Sequence, residues 1–509
     1  MTPAYSYLFQ RIAEHVENMR IGIGRIQNEI SPIHKLPRNL LQMVFRRACL
    51  SDQQKTSRPA VTLSHVCRQW RIILLSAPQF WCGVMVDGRD PSFQVACLTR
   101  SGNLPLDVTV QFNYTTPPLH PHPDYRSSVL EDEDVRRHSY ECRKGLTLLE
   151  AVGDRIHRLH VDYILLGPNY FQDEIMEHNF FVTGLKNLQE LWWNYDDKQG
   201  IFSLPRHIFA GALGSLKYVR LENAEPSTRS FPSLRSLECI RVYDTDCVTF
   251  MNREMPGFFG QNASLESLNI FEFHMCEIIQ GFPRISMDNL TSLTLSRVFR
   301  WYLLFDLLRI KNLDGGTFTT ISFSNQKTWI AFSAVNSIGF SLRASICPHE
   351  DLKEDDFMRR YFSGVTSVRV EDFQTIHSTE RLLSILRILG HSKGDVGRLE
   401  LHAETGPHAF YPQVTLFAKA FLPRLRTLAV YLHDHGLGKR DGWVWVGVII
   451  EDLFSPKHNA RFPDDCMVNV CCSKSGVSLS ANMGELKAEF DAGRPCSGPI
   501  SRSQLLLPL

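Results

Sequence analysis

Residues able to do chemistry are few in this 509-residue chain, and their spacing is poor. His458, Cys466, Cys471, Cys472 and Cys496 are ligand types that zinc accepts, but their intervals match none of the familiar zinc patterns. No C-x-x-C pair is present to nucleate such a site, and the thirteen cysteines are scattered singly apart from Cys471 and Cys472. In a reducing compartment such residues behave as small buried apolar groups. The run from His120 to Asp124, HPHPD, carries two imidazoles and a carboxylate, yet the flanking prolines favour an extended loop over ligation. Gly436-Leu437-Gly438-Lys439 comes closest to a phosphate-binding loop, but it lacks the full spacing and the Ser or Thr that would hold magnesium. G-x-S-x-G, H-E-x-x-H and the kinase signatures are missing as well. The expectation is a non-catalytic protein with no metal and no cofactor.

Composition narrows the remaining classes. Lys and Arg total 55 against 54 for Asp and Glu, so there is no basic excess to neutralise a phosphate backbone, and no nucleic acid partner is expected. The runs Glu131 to Asp134 and Glu350 to Asp356 read as solvated faces. The N-terminus lacks the apolar core of a secretory signal, and the apolar run Trp443 to Ile450 is far short of the ~20 residues that span a bilayer. A soluble intracellular protein, cytoplasmic or nuclear, with no membrane partner is expected.

The elements that would position a binding surface are clearer. Leu8, Ile12, Val16, Met19, Ile23, Ile26 and Ile30 form one stripe of a helix, expected to pack on its own domain, with pairing of two chains as the alternative. Pro32 ends it. Leu36-Pro37 then opens a short amphipathic helix through Leu40, Leu41, Val44 and Phe45, Ser51 to Pro59 reads as a loop, and Leu63 to Leu74 form a second helical stripe. Such a hairpin has more apolar surface than it can bury alone, which marks a partner. Trp70 and Trp81 are expected in its core. Leu104, Leu106, Val108, Val110 and Phe112 alternate as a strand, and Leu146, Leu149, Val152 and Ile156 suggest a helix.

An apolar A-x-x-B-x-C phrase then returns eleven times. Its first positions are Ile156, Leu188, Leu216, Leu234, Leu265, Leu290, Phe318, Val335, Val365, Val396 and Leu425, at intervals of 32, 28, 18, 31, 25, 28, 17, 30, 31 and 29 residues. Most intervals lie near or just above those of a leucine-rich repeat, in which each phrase supplies one strand of a solenoid. At 17 or 18 residues the return must be a tight loop, or one of the phrases is false. ERLLSILRILG shows an outer helix, with Leu382, Leu383, Leu386 and Leu389 on one face and Gly390 closing it.

The segment from Leu36 to Trp81 resembles the F-box, especially the fungal F-box-like families, through Leu36-Pro37, Leu40-Leu41, Val44-Phe45, Leu63-Ser64, Val66-Cys67-Arg68-Gln69-Trp70-Arg71, Pro78 and Trp81. The resemblance implies docking of Leu36, Pro37, Leu40, Leu41, Val44 and Phe45 onto a Skp1-type adaptor and, through it, onto a cullin-RING ubiquitin ligase. It also implies a C-terminal leucine-rich repeat domain that reads a protein substrate. The polar stretch from Leu50 to Val61 replaces the short connecting helix of the commoner F-box, so a repeat scaffold without adaptor docking stays open beside the substrate-receptor reading.

The expected fold is α/β, an N-terminal helical F-box followed by a leucine-rich-repeat solenoid of parallel strands and outer helices. Its parts are an amphipathic helix (1–31), the F-box (32–88), a connecting strand, loop and helix (89–155), the repeats (156–470) and a C-terminal cap and tail (471–509). In such strands the residues between and just after positions B and C point away from the core. That rule selects Trp192, Asn194, Arg220, Glu222, Asn269, Phe271, Arg369, Glu371, Glu400, His402 and Tyr431 as a concave binding face. Trp192, Asn194, Arg220, Phe271, Arg369, Glu400 and Tyr431 are its candidate substrate contacts, since exposed aromatics beside Arg are typical of binding hot spots.

Overall fold

A computed structural model describes residues 3–50, 57–88, 91–113, 128–164, 178–196, 202–204, 207–226, 230–240, 255–272, 284–298, 300–326, 329–346, 352–371, 376–391, 396–403, 424–432, 463–472 and 477–491. The HPHPD run, Gly436 to Lys439, Trp443 to Ile450, His458 and Cys496 lie outside the described residues. The protein is mixed α/β and its strands are mostly parallel. It divides into two compact units, Met1–Ala224 and Glu225–Leu509.

The first unit begins with helices α1 (Pro3–Ile30), α2 (Arg38–Leu50), α3 (Arg58–Ser64) and α4 (Arg68–Leu75). The single second helix expected over Leu63 to Leu74 is in fact two. The chain breaks at His65 to Cys67, where the Cys67 sulfur accepts a hydrogen bond from the Trp70 backbone N–H and caps α4. Helix α3 also begins at Arg58, so the end of the polar stretch is helical instead of a loop. A 3₁₀ turn over Pro78–Trp81 leads into strand β1 (Gly83–Val86). Trp81 is buried and donates its ring N–H to the Leu74 carbonyl over 2.9 Å, and Trp70 is buried too, so both tryptophans are core as expected.

Strand β1 pairs in parallel with β2 (Leu106–Asn113), and β3 (Ile156–Ile164), β4 (Glu190–Asp196) and β5 (Tyr218–Glu222) follow in that order, all parallel. Alternation fixes the buried face of β2: Leu106, Val108, Val110 and Phe112 point inward. Leu104 lies before the strand and is exposed, and Ile156 is the first residue of β3 instead of the end of a helix. The connecting strand is therefore part of the same sheet as the first three repeat phrases. Behind the sheet, Phe180, Phe181, Trp193 and Phe209 pack edge to face. At the entry to that layer, a Cβ on Gly153 would collide with the Gly184 carbonyl oxygen, so only glycine permits this backbone approach.

The second unit holds β6 (Ser236–Ile240), β7 (Ser267–Phe271), β8 (Ser292–Ser296), β9 (Phe318–Gln326), β10 (Trp329–Asn336), β11 (Ser341–Ile346), β12 (Ser367–Glu371), β13 (Arg398–Ala403), β14 (Thr427–Leu432), β15 (Met467–Cys472) and β16 (Val477–Asn482). Their order across the sheet is β6-β7-β8-β11-β10-β9-β12-β13-β14-β15-β16. The pairs of β10 with β9 and β11, and of β15 with β16, are antiparallel. Elsewhere each parallel strand is entered in the same way. The N–H of Thr291 bonds the Glu266 carbonyl, Gly397 bonds Thr366, Arg426 bonds Gly397 and Met467 bonds Arg426.

The two short intervals resolve differently. The phrases at Leu216 and Leu234 both form strands, β5 and β6, so neither of these two is false. The phrase at Val335, Ile338 and Phe340 is false: Val335 and Ile338 are more than half exposed, and the segment turns β10 back into β11. Gly339 sits at φ 86° in that turn, and the Asn336 side-chain oxygen accepts the Phe340 and Ile338 backbone N–H groups. Strand β11, with Leu342 and Ala344 buried, takes the place beside β8 that the phrase was expected to fill. Helix Ile376–His391 buries Leu382, Leu383, Leu386 and Leu389 as the spacing predicts, but it continues through Gly390.

Candidate functional site

Two kinds of surface are available for binding, and each follows from how the chain folds locally. On α2, residues three and four apart share a face, and the helix has two apolar faces. Leu41 and Phe45 are fully buried, with the Phe45 ring 4.7 Å from that of Trp70. Leu40, Met43 and Val44 are 41%, 66% and 46% exposed. Leu36 is half-buried and Pro37 exposed. The six residues expected at an adaptor contact therefore split: Leu41 and Phe45 are withdrawn into the hairpin core, and Leu36, Pro37, Leu40 and Val44 are accessible. Met43 was not anticipated, although its place three residues after Leu40 puts it on the accessible face. Ile72 and Leu75 of α4 are exposed as well. Polar ties hold the hairpin: His34 Nδ1 meets Gln69 Oε1 at 2.9 Å, Arg38 donates to the Ser76 hydroxyl at 2.6 Å, and Arg71 donates to the Ser64 carbonyl at 3.0 Å.

In the first unit, the open face of the sheet is a grid set by strand register. One row runs Thr109, His160, Trp192, Arg220 and the next Gln111, Asp162, Asn194, Glu222. The Arg220 guanidinium lies 5.5 Å from the Trp192 ring centre and 3.7 Å from the Glu222 carboxylate. His160 packs edge to face on Trp192 at 5.7 Å and meets Asp162 at 2.9 Å. Gln111 and Asn194 also donate to Asp162, at 3.2 and 3.4 Å. Burial pushes the Asp162 carboxyl up, but its bonds from His160, Gln111 and Asn194 prevail and hold it below the usual range. Trp192, Asn194 and Arg220 are thus brought together as expected, already engaged with one another.

In the second unit the same rule places Phe271, Arg369, Glu400 and Tyr431 on the open face, all half-buried. Arg369 pairs with Glu371 at 2.8 Å and Glu400 with Arg398 at 2.6 Å. His402 stacks on Tyr431 with ring centres 4.4 Å apart and planes at 19°. A recess of about 520 Å³ opens beside them, bordered by Phe271 and Glu371. Hydroxyls of Thr294, Ser296, Ser322, Ser324 and Ser333 line it, with Asn269 and Arg343. Arg343 is exposed and makes no ion pair among the described residues. The β9-β10-β11 hairpin supplies most of this lining, which is why the repeat phrases, read as parallel strands alone, did not reveal it.

No family model, curated protein or solved structure matches this chain.

Among the described residues no group of three or more His, Cys, Asp or Glu side chains is placed to hold a metal ion. Cys97 and Cys466 are buried and their thiols pushed up to about 11, and Cys142 to about 12, in each case chiefly by desolvation. Such thiols remain protonated and are poor nucleophiles near neutral pH. No helix of the described residues is long and apolar enough to cross a membrane.

Proposed function

We propose that this protein is a non-catalytic substrate-recognition subunit of a Skp1-cullin-F-box ubiquitin ligase, with an F-box at Leu36 to Trp81 and degenerate leucine-rich repeats that hold a protein target. The observation that carries the reading is the two-faced α2: Leu41 and Phe45 complete the hairpin core, while Leu40, Met43 and Val44 remain outside it as an apolar surface. Exposed apolar side chains grouped on one helix face of a folded hairpin mark a protein partner. The parallel strands, each presenting polar and aromatic residues on an open face, support the second half of the reading. Substrate contacts are proposed at Trp192, Asn194 and Arg220 in the first unit and at Phe271, Arg369, Glu400 and Tyr431 in the second. The recess around Arg343, a cation among hydroxyls, suits an acidic group of the target. The receptor acts by proximity, raising the effective concentration of target at a ligase carried by its partners. That role places it in the cytosol or the nucleus.

The test is gel filtration of the full chain mixed with a purified Skp1-type adaptor. Co-elution is expected. Separate elution at tens of micromolar of each protein would instead leave a repeat scaffold without adaptor docking.

A further inference from the structure

Helix α1 runs for 28 residues, and Ile12, Val16, Met19, Ile23 and Ile26 of the stripe expected to pack on its own domain are exposed instead. Phe9, Ile12, Val16, Met19, Ile23 and Ile26 are each between 51% and 63% exposed. Their steps of three and four alternate strictly, which makes them successive a and d positions of a heptad, and Tyr5 and Ile30 fall in the same register at either end. A strict seven-residue period is the seam of a coiled coil, narrower than the broad stripe by which a helix covers a globular core. Gly22 and Gly24 fall at g and b, off the seam.

We propose that α1 is an association helix whose partner is α1 of a second copy of this chain. Three observations favour that occupant. The flanking e and g positions, Ala13, Arg20 and Gln27 with His15, Gly22 and Glu29, carry no run of like charge, so two copies meet without repulsion. The polar faces balance Arg11, Arg20 and Arg25 against Glu14, Glu17 and Glu29, which removes the cationic excess that an amphipathic helix needs for an anionic bilayer. Finally, the six a and d side chains of each helix, at roughly 80 Å² apiece, withdraw on the order of 1,000 Å² from water when two copies pair. That is the ~1,000 Å² floor of a specific interface. Pairing would place two docking hairpins and two sets of open faces in one assembly, which converts a weak contact to a multivalent partner into a tighter one. The inference does not depend on the ligase reading.

Sedimentation velocity of the full chain from about 1 to 100 μM tests it. The wild-type chain should move from one-chain to two-chain mass across that range. The double variant Val16→Glu, Ile23→Glu should stay at one-chain mass with an unchanged thermal midpoint, because neither side chain is part of a core. Glu14→Lys, off the seam, should associate like wild type. One-chain mass for the wild type at every concentration would overturn the proposal, as would two-chain mass in the double variant. Wild-type chains that remain single but pellet with phosphatidylserine vesicles would overturn it too, by assigning the stripe to a lipid surface.

Discussion

The ring of Phe45 lies 4.7 Å from that of Trp70 at an interplanar angle of 58°, so the aromatic residue of α2 closes the hairpin on α4 instead of reaching out to a partner. Both rings are buried, and Leu41, one turn earlier on α2, is buried with them. Phe45→Ala should therefore destabilise the hairpin by about 3–5 kcal/mol, the range for removing a buried aromatic side chain. Leu40→Glu and Val44→Glu, on exposed positions, should shift stability by less than about 0.5 kcal/mol. Urea unfolding followed by tryptophan fluorescence separates the two cases.

The split of α2 shows how far the chain could be read from its residues. Local periodicity located α2, β2 and ten of the repeat phrases, because one buried face imposes its period on the sequence whatever covers it. It could not say which of two adjacent apolar residues faced inward, since Leu40 and Leu41 are chemically the same and only Trp70 distinguishes their faces. The phrase at Val335 failed for a different reason. Asn336-Ser337-Ile338-Gly339 is turn chemistry, and the apolar spacing across it was accidental. The apolar stripe of α1 was visible, but whether a helix packs on its own chain is decided by distant residues that no local pattern contains. The open-face residues were legible because strand alternation leaves them no other side, and their partners in the next strand follow from register alone.

Asp162 offers a test by pH. Its folded-state carboxyl lies below the ordinary carboxylate value, since the bonds from His160, Gln111 and Asn194 outweigh the burial that raises it. A depressed carboxyl contributes stability that is fully present above the unfolded value of ~3.9 and is lost as pH falls through the folded one. Asp162→Asn should therefore flatten the acid limb of a plot of unfolding free energy against pH below about pH 4. An unchanged acid limb in the variant would assign the acid sensitivity to other groups.

Arg381 and Asp355 form an ion pair at 2.9 Å with side chains only 1% and 11% exposed, linking helix Ile376–His391 to helix Leu352–Tyr361. Removing one partner strands a buried charge. Asp355→Ala should cost about 3–5 kcal/mol, whereas the double variant Asp355→Leu, Arg381→Met should recover most of that loss, because well-packed apolar groups can replace a buried pair. A double-mutant cycle in guanidinium measures the coupling, and additive losses would mean the pair is not coupled in solution.

In the proposed receptor, the exposed face of α2 docks an adaptor while its buried face only builds the hairpin. Titration calorimetry of a Skp1-type adaptor into the full chain and into Leu40→Glu, Val44→Glu tests this directly, with circular dichroism confirming that the variant is folded. Measurable affinity is expected for the wild type and at least about 100-fold weaker binding for the variant, which corresponds to ~2.7 kcal/mol. Equal affinity for both chains would contradict it.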